Sequence, residues 1–422
     1  MKLSHAVGGA AVALGAVAVR DLVQKRHALQ RNFPVIGHAR YWLETIGPEL
    51  RQYIVTSNEE ERPFSRDQRT WIYASSKEQN SYFGFGTDVD VEHTQGHAYI
   101  KQRTFADKLP SDQDHNWTLP AAKVLGGPRG RAKAFRPGSV VNVSAMSFGS
   151  LSSNAITAIN KGAAAAGCLH NTGEGSISPY HRNGAELVVQ IGTAYFGCRD
   201  EHGNFSLPRL KAMVESAPVK ALEIKLSQGA KPGLGGLLPA PKVTPPEIAE
   251  IRGHPGGQGL LLAIAAHRLP RRGLDARLRR DARRGDRPAG RHQVGRRRDG
   301  LLGGARPVDG ATPARRRLHH RRRRRGRHRR GALIFADSVS LPYRMGFSRV
   351  YGTFAELGLT DDVTFIGSAK LGLPDNATVA FALGADMINV AREVMLSIGC
   401  IQAQKCHTDH CPTGVATQNP WL

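Results

Sequence analysis

Three of the chain's five cysteines fall within twelve residues, in Cys400-Ile-Gln-Ala-Gln-Lys-Cys406-His-Thr-Asp-His-Cys411-Pro412. Soft thiolates spaced C-x5-C-x4-C on one short loop can converge on a metal centre, and Cys-Pro endings recur where iron-sulfur clusters are held. Zinc is the competing metal. A structural zinc site wants CxxC knuckles and a fourth Cys or His, for which His407 and His410 are the local candidates. A set of unrelated buried thiols is the third reading of the same spacing.

A centre of this kind needs a rigid scaffold, and from residue 139 the chain alternates short apolar runs with helical patterns. Residues 139–144 read as a buried strand, followed by the loop Ala145-Met-Ser-Phe-Gly149-Ser-Leu-Ser152 and a helix over 154–166 that Gly167 ends. Residues 187–191 and 222–226 are further strands, with His170-Asn-Thr-Gly-Glu-Gly175 a loop before the first and Ser227-Gln-Gly-Ala-Lys-Pro-Gly233 a loop after the second. After residue 332 come a helix over 341–357, a strand over 362–367 entering Gly367-Ser-Ala-Lys370-Leu-Gly372, a helix over 375–383 and a last strand over 386–390. This rhythm predicts an α/β fold with a parallel sheet, and a closed barrel is the simplest solution at 422 residues. Functional groups then belong in loops at the carboxyl ends of strands. Glycine there lets backbone N–H groups approach a phosphate, so the loops at 367–372 and 391–392 point to a phosphorylated cofactor.

Charge does not point to a polyanionic partner, despite a net +24. Residues 252–330 hold 26 Arg and 5 Asp with no Lys or Glu, and so carry +21 of that total. They also lack Phe, Trp, Tyr, Ser, Asn, Met and Cys. An arginine-rich RNA-binding arm would want aromatic residues to stack on bases, and nucleic acid is not the expected partner. Intrinsic disorder is a second reading. The vocabulary fits best a GC-rich coding stretch translated out of frame between two compensating shifts.

Residues 3–19, bounded by Leu3 and Val19, contain no Lys, Arg, Asp or Glu and are followed by Arg20, Lys25, Arg26 and Arg31. This is the short limit for a membrane span, and the basic flank would leave the body on the cytoplasmic side of the plasma membrane. A signal peptide, a segment lying on the membrane surface and a merely apolar leader are the alternatives. With three thiols assigned as ligands, a disulfide framework has no cysteines to build on, so a reducing, cytoplasmic compartment is expected. Residues 33–135 read as a lead-in: two helices broken near Pro34 and Pro48, then irregular chain. The main domain follows over 136–422.

Cys-x5-Cys-x4-Cys-Pro-Thr-Gly-Val-Ala-Thr-Gln is similar to the 3Fe-4S loop of the FMN-binding synthase domain of glutamate synthases and related stand-alone proteins. Ser-Ala-Met-Ser-Phe-Gly-Ser, Asn-Thr-Gly-Glu-Gly and Glu-Ile-Lys-Leu-Ser-Gln-Gly-Ala-Lys-Pro-Gly extend the resemblance over residues 33–250 and 333–422. It implies a (β/α)8 TIM barrel with FMN at its carboxyl face beside a 3Fe-4S cluster held by Cys400, Cys406 and Cys411. Ser144, Ala145, Met146 and Ser147 would border the flavin, with Gln190 and Lys225 near its ring. Gly367, Ser368 and Arg392 would form the phosphate loops, and Glu174, Gln228 and Lys231 would face substrate, with Lys225 and Glu174 as the catalytic pair. The implied reaction is reductive amination of 2-oxoglutarate to L-glutamate, with electrons from ferredoxin or an NAD(P)H-flavin protein entering through the cluster.

Departures qualify the expected substrate. No stretch reads as a nucleophile domain that would release ammonia from glutamine, so ammonia or another amine is expected from outside. Ser176 follows Gly175 where the large synthases continue with glycine and a second acidic residue, which leaves a related amino or imino acid open. The family's middle strands, with a further lysine and a Gly-Glu-Gly-Gly-Thr-Gly loop, would fall in the arginine-rich stretch, so a catalytically dead product is a further reading.

Overall fold

The computed structural model describes residues 2–79, 119–226, 237–243, 245–253 and 337–422, together with short stretches between 84 and 105 and the pair 260–261. The arginine-rich stretch beyond 261 lies outside these residues, as do Gln228 and Lys231.

The chain opens with helices α1 (Lys2–Val23), α2 (Ala28–Asn32) and α3 (Gly37–Leu50), followed by a π turn at Arg51–Val55. Among the described residues no helix is long and apolar enough to cross a membrane. The expected anchor at Leu3–Val19 therefore forms a helix but falls short as a span, because Ala and Gly bury few methylenes each. Asp21, 1 % exposed, docks α1 by accepting from the Val35 backbone N–H at 2.9 Å and contacting His38 Nε2 at 2.9 Å. Helix α3 ends at Leu50, two residues past Pro48 and close to the expected break. The missing N–H falls in the last turn, and the chain widens at once into the π turn, where the Thr56 N–H reaches the Arg51 carbonyl at 2.8 Å.

Helix α4 (Arg66–Ser75) arises inside the expected irregular stretch. Its signal was present: Ser65 and Gln68 close a reciprocal capping box, satisfying two otherwise orphaned N–H groups. Phe64 and Ile72 pack against Leu373 and Leu396 of the main domain. Arg69 grips the buried Glu61 carboxylate with its Nη2 at 2.5 Å and Nε at 3.2 Å.

Next come β1 (Val141–Val143), α5 (Ser153–Ala165), β2 (His170–Asn171), β3 (Leu187–Ile191), α6 (Leu207–Glu215) and β4 (Val219–Ile224). A small antiparallel pair, β5 (Leu237–Leu238) and β6 (Leu260–Leu261), flanks α7 (Pro246–Arg252). Helix α8 (Tyr343–Glu356), β7 (Ile366–Gly367), α9 (Pro374–Ala382), β8 (Met387–Val390) and α10 (Arg392–Ser397) complete the described chain. Helix α5 begins as its sequence dictates, with the Ser152 hydroxyl accepting from the Ala155 N–H at 3.2 Å, and ends at Gly167, φ +63°.

Six strands form one curled parallel sheet in the order β4-β3-β2-β1-β8-β7. The first strand pairs with the last, Val141 opposite Ile388 and Val143 opposite Val390. The order is cyclic in sequence, which is the arrangement of a barrel opened between β4 and β7. A half-barrel of this kind is compatible with the expected TIM-barrel domain. Alternate strand residues face opposite ways. Leu187 and Val189 pack on Leu210 and Met213 of α6, and Ile388 packs on Ala380 of α9. On the other face Asn142, Asn171 and Glu223 line a cavity of about 170 Å³ with Met387 and Asn389.

One pair of buried side chains makes the fold acid-sensitive. His170 of β2 and His181 lie with ring centroids 5.2 Å apart, each fully buried. The Ser178 N–H donates to His181 Nδ1 at 3.1 Å, which fixes the neutral ring. Burial depresses His170 to about 4, and burial with the charge of His170 depresses His181 to about 3. Because these values lie below the unfolded 6.5, the unfolded chain takes up protons first as pH falls. Thermal unfolding is therefore expected to show stability complete above pH 6.5 and lost toward pH 4, by up to about 1.4 kcal/mol per pH unit for each ring. A melting temperature flat across that window would contradict this account.

Candidate functional site

Every site residue expected from the sequence and lying among the described residues falls at the carboxyl edge of the sheet or on the loop after α10. Ser144–Ser147 follow β1, Glu174 follows β2, Gln190 ends β3, Lys225 follows β4, Ser368 follows β7 and Arg392 follows β8. Parallel pairing alone gathers them, since it puts all strand ends on one side.

Lys225 and Glu174 meet: Nζ lies 2.6 Å from Oε1, with the carboxylate only 9 % exposed. Gly192, at the end of β3, makes room. A Cβ built there would lie 2.2 Å from Glu174 Oε2. The loops after β1 and β2 also touch backbone to backbone. Gly173 holds φ +63°, and a Cβ at this position would fall 2.9 Å from the Ser147 nitrogen. Gln190 Nε2 donates to Glu223 Oε1, and Asn171 Nδ2 to Glu223 Oε2, both at 2.6 Å. Glu223 thereby fixes the carboxamide of Gln190.

Sequence reasoning missed Arg252. It is the last residue of α7, 1 % exposed, and its Nη2 donates to the Phe148 carbonyl at 2.8 Å. The guanidinium stands 5.3 Å from the Phe196 ring centroid. Among the described residues its Nε and Nη1 have no hydrogen-bond partner, although each is fully buried. Burial pulls its pKa down to about 10 against the opposing charge of Glu174. A buried guanidinium with an open N–H edge beside the Lys225–Glu174 pair is suited to a carboxylate ligand. Arg252 went unnoticed because it stands first in the stretch whose composition reads as foreign to the fold.

The loops after β7 and β8 carry cations. Ser368 and Arg392 are exposed, while Gly367 is buried beneath Tyr343. Burial and the nearby charges of Arg392 and Arg62 hold the Lys370 ammonium below its ordinary value, so Lys370 and Arg392 repel each other. An anion placed there would relieve that repulsion. The Gly372 N–H donates to buried Glu393 at 2.9 Å and locks the two loops together. These residues fit a flavin phosphate.

The cysteine loop is held by the helical lead-in. Gln402 clamps Phe64, accepting from its N–H at 3.0 Å and donating to its carbonyl at 2.9 Å. The Tyr73 hydroxyl donates to the Cys400 carbonyl at 2.7 Å, and Gln418 Nε2 donates to the Leu151 carbonyl at 2.7 Å. Gln402, Gln404 and Asp409 all adopt left-handed backbone, at φ +60°, +56° and +68°. Each costs of order 1–3 kcal/mol and persists because side-chain bonds such as these hold the loop.

The three thiols are electrostatic neighbours. Burial raises Cys400, and the charges of Cys406 and Cys411 raise it further; burial and Cys411 likewise raise Cys406. Burial also acts on Cys411, but the Ala416, Thr413 and Val415 N–H groups and the Thr413 hydroxyl outweigh it and hold this thiol below its ordinary value. Among the described residues no three Cys, His, Asp or Glu are drawn together closely enough to hold a metal ion. The donor set nevertheless fits an anionic thiolate cluster: three sulfurs that feel one another, N–H groups aimed at Cys400 and Cys411, and a buried cation, Lys242, against Cys406.

Fold and edge together define a parallel α/β protein that gathers its functional groups at the carboxyl ends of its strands, with a thiol loop beside them. The chain belongs to the glutamate synthase family: the conserved region in glutamate synthase matches residues 111–268 and 331–422. The matched segments flank much of the arginine-rich stretch. The chain is 34 % identical to the glutamate synthase large subunit-like protein YerD of Bacillus subtilis, over 96 % of this chain and 83 % of that protein. It is 30 % identical to the archaeal-type glutamate synthase [NADPH] of Thermotoga maritima, over 67 % of this chain, and spans 53 % of that relative's length. With the glutamate synthase [NADPH] large chain of B. subtilis it shares 30 % identity over 66 % of this chain and 18 % of the larger protein.

Proposed function

We propose that the protein is an FMN- and iron-sulfur-dependent oxidoreductase of the glutamate synthase type, forming L-glutamate from 2-oxoglutarate and ammonia or another amine. The observation that carries this reading is the Lys225–Glu174 ion pair lying beside a buried Arg252, two of whose nitrogens have no partner among the described residues. Ser144, Ala145, Met146, Ser147 and Gln190 would border the flavin, and Gly367, Ser368, Lys370 and Arg392 would take its phosphate. Cys400, Cys406 and Cys411 would hold the 3Fe-4S cluster. Bound there, FMN supplies hydride to the imine carbon and the cluster supplies electrons to the flavin.

The chain's own residues then bind and orient. Arg252 receives a carboxylate of the keto acid in a fork from which water is excluded. Lys225 offers a cation where electron density builds up on the reduced ring, and Glu174 holds that ammonium in place. Gln228 and Lys231 are proposed on the substrate side. The thiol loop is where ferredoxin or an NAD(P)H-flavin protein would deliver electrons.

Anaerobic purification followed by absorbance and an assay for L-glutamate from 2-oxoglutarate, ammonium and a reduced donor tests the reading. Absence of both flavin and cluster absorbance would sink it. Gly192→Ala is expected to push Glu174 off Lys225 and lower kcat by about 10²-fold, as misplacement of roughly 1 Å does. Because Gly192 needs no left-handed backbone, its melting temperature should barely move; equal loss of folding would show that the clash is not specific to Glu174.

A further inference from the structure

Lys242 is 2 % exposed, yet no carboxylate among the described residues lies within ion-pairing distance of it. A short 3-10 turn, Ala240–Lys242, carries it under the carboxyl edge of the sheet. Among the described residues its ammonium donates to two carbonyls, Ser150 at 2.7 Å and Cys406 at 2.8 Å. Ser150 belongs to the loop after β1, where its hydroxyl donates to the Ser147 carbonyl at 2.5 Å. One buried cation therefore joins the thiol loop to the loop expected to border the flavin.

Withdrawing an ammonium from water costs several kcal/mol unless an anion lies nearby. Asp409, Cys406 and Cys411 are the negative groups whose charge Lys242 feels. Two of these three are thiols of the candidate cluster. The burial is thus repaid in full only when the thiol loop carries negative charge, as a thiolate-bound cluster does.

We propose that Lys242 is a positioning residue that fixes the thiol loop against the loop after β1, and that its buried charge stabilises the reduced state of the thiolate centre. This rests on the reading that Cys400, Cys406 and Cys411 hold an iron-sulfur cluster. Reduction adds one electron to that centre and changes no bond, so the centre becomes more negative by one charge. A fixed cation in a low-dielectric site favours the more negative state and raises the potential.

The test is an electron paramagnetic resonance titration with dithionite on the full chain, assembled anaerobically with iron, sulfide and FMN. In K242M the cluster is expected to become harder to reduce by about tenfold in its reduced-to-oxidised ratio, which is about 59 mV for a one-electron couple. In K242R, which keeps the charge, most of the wild-type potential should remain. An unshifted potential in K242M, or an equal shift in K242R, overturns the inference while leaving the proposed function standing. If K242M holds no cluster, K242R decides: a cluster at near wild-type potential supports a role for charge, and its loss there too overturns it. A wild-type chain that takes up no cluster overturns the proposed function and this inference together.

Discussion

Replacing Arg252 by leucine is expected to lower kcat/KM for the keto acid by about 10–100-fold while leaving flavin absorbance unchanged. The magnitude follows from the loss of one charge-assisted hydrogen-bonded contact, about 1.5–3 kcal/mol. Arg252 commits Nη2 to the Phe148 carbonyl at 2.8 Å and the Ser147 hydroxyl at 3.5 Å, and its other nitrogens are buried without partners among the described residues. A buried guanidinium so arranged is under-satisfied until an anion arrives, so its worth shows mainly in substrate binding. R252K should recover little, because an ammonium cannot present a planar fork. Steady-state kinetics with varied keto acid check this. A kcat/KM within twofold of wild type in R252L would remove Arg252 from the binding site.

Replacing Cys411 by serine is expected to abolish cluster absorbance and turnover with a protein electron donor, while flavin remains bound. Cys411 is the most buried of the three thiols and receives N–H groups from the turn that follows it. Its thiolate is thus the best prepared to act as a ligand. Removing one of three leaves too few sulfurs for the centre, so the loss should be complete rather than graded. Metal analysis of the wild-type chain separates the alternatives set by the spacing. Iron and sulfide support the cluster, whereas one zinc per chain would reassign the loop, with His407 or His410 as the further ligand.

Much of the fold was legible because it rests on local signals. The strand at 187–191 lies where its apolar run puts it, and α5 starts on Ser152 and stops at Gly167 as their chemistry requires. The strand expected at 222–226 begins three residues earlier, at Val219, since pairing with β3 extends it past its apolar run. The strand expected over 362–367 shrinks to Ile366–Gly367, because only these residues reach β8. Helix α4 was missed although Ser65 and Gln68 announced it; its interior is polar, and only the face toward Leu373 and Leu396 is apolar.

The candidate site divides along the same line. Glu174, Lys225 and the thiols could be named because each stands in a short motif whose residue types are rare by chance. Arg252 and Lys242 could not, because nothing in their neighbourhood along the chain distinguishes them from solvated charges. Their meaning comes from burial, and burial is a property of what other segments do.

The cysteine loop marks the boundary between the two kinds of knowledge. By itself the sequence determined the spacing of Cys400, Cys406 and Cys411, the glycines that let loops approach closely, and the alternation that makes a parallel sheet. Those are fixed by covalent order and local sterics. Only the tertiary structure decided that Gln402 would clamp the loop to Phe64, that Lys225 would meet Glu174 across 51 residues of chain, and that Lys242 and Arg252 would be buried. Desolvation gives a charge its chemistry, and it arises only when segments distant in sequence exclude water together.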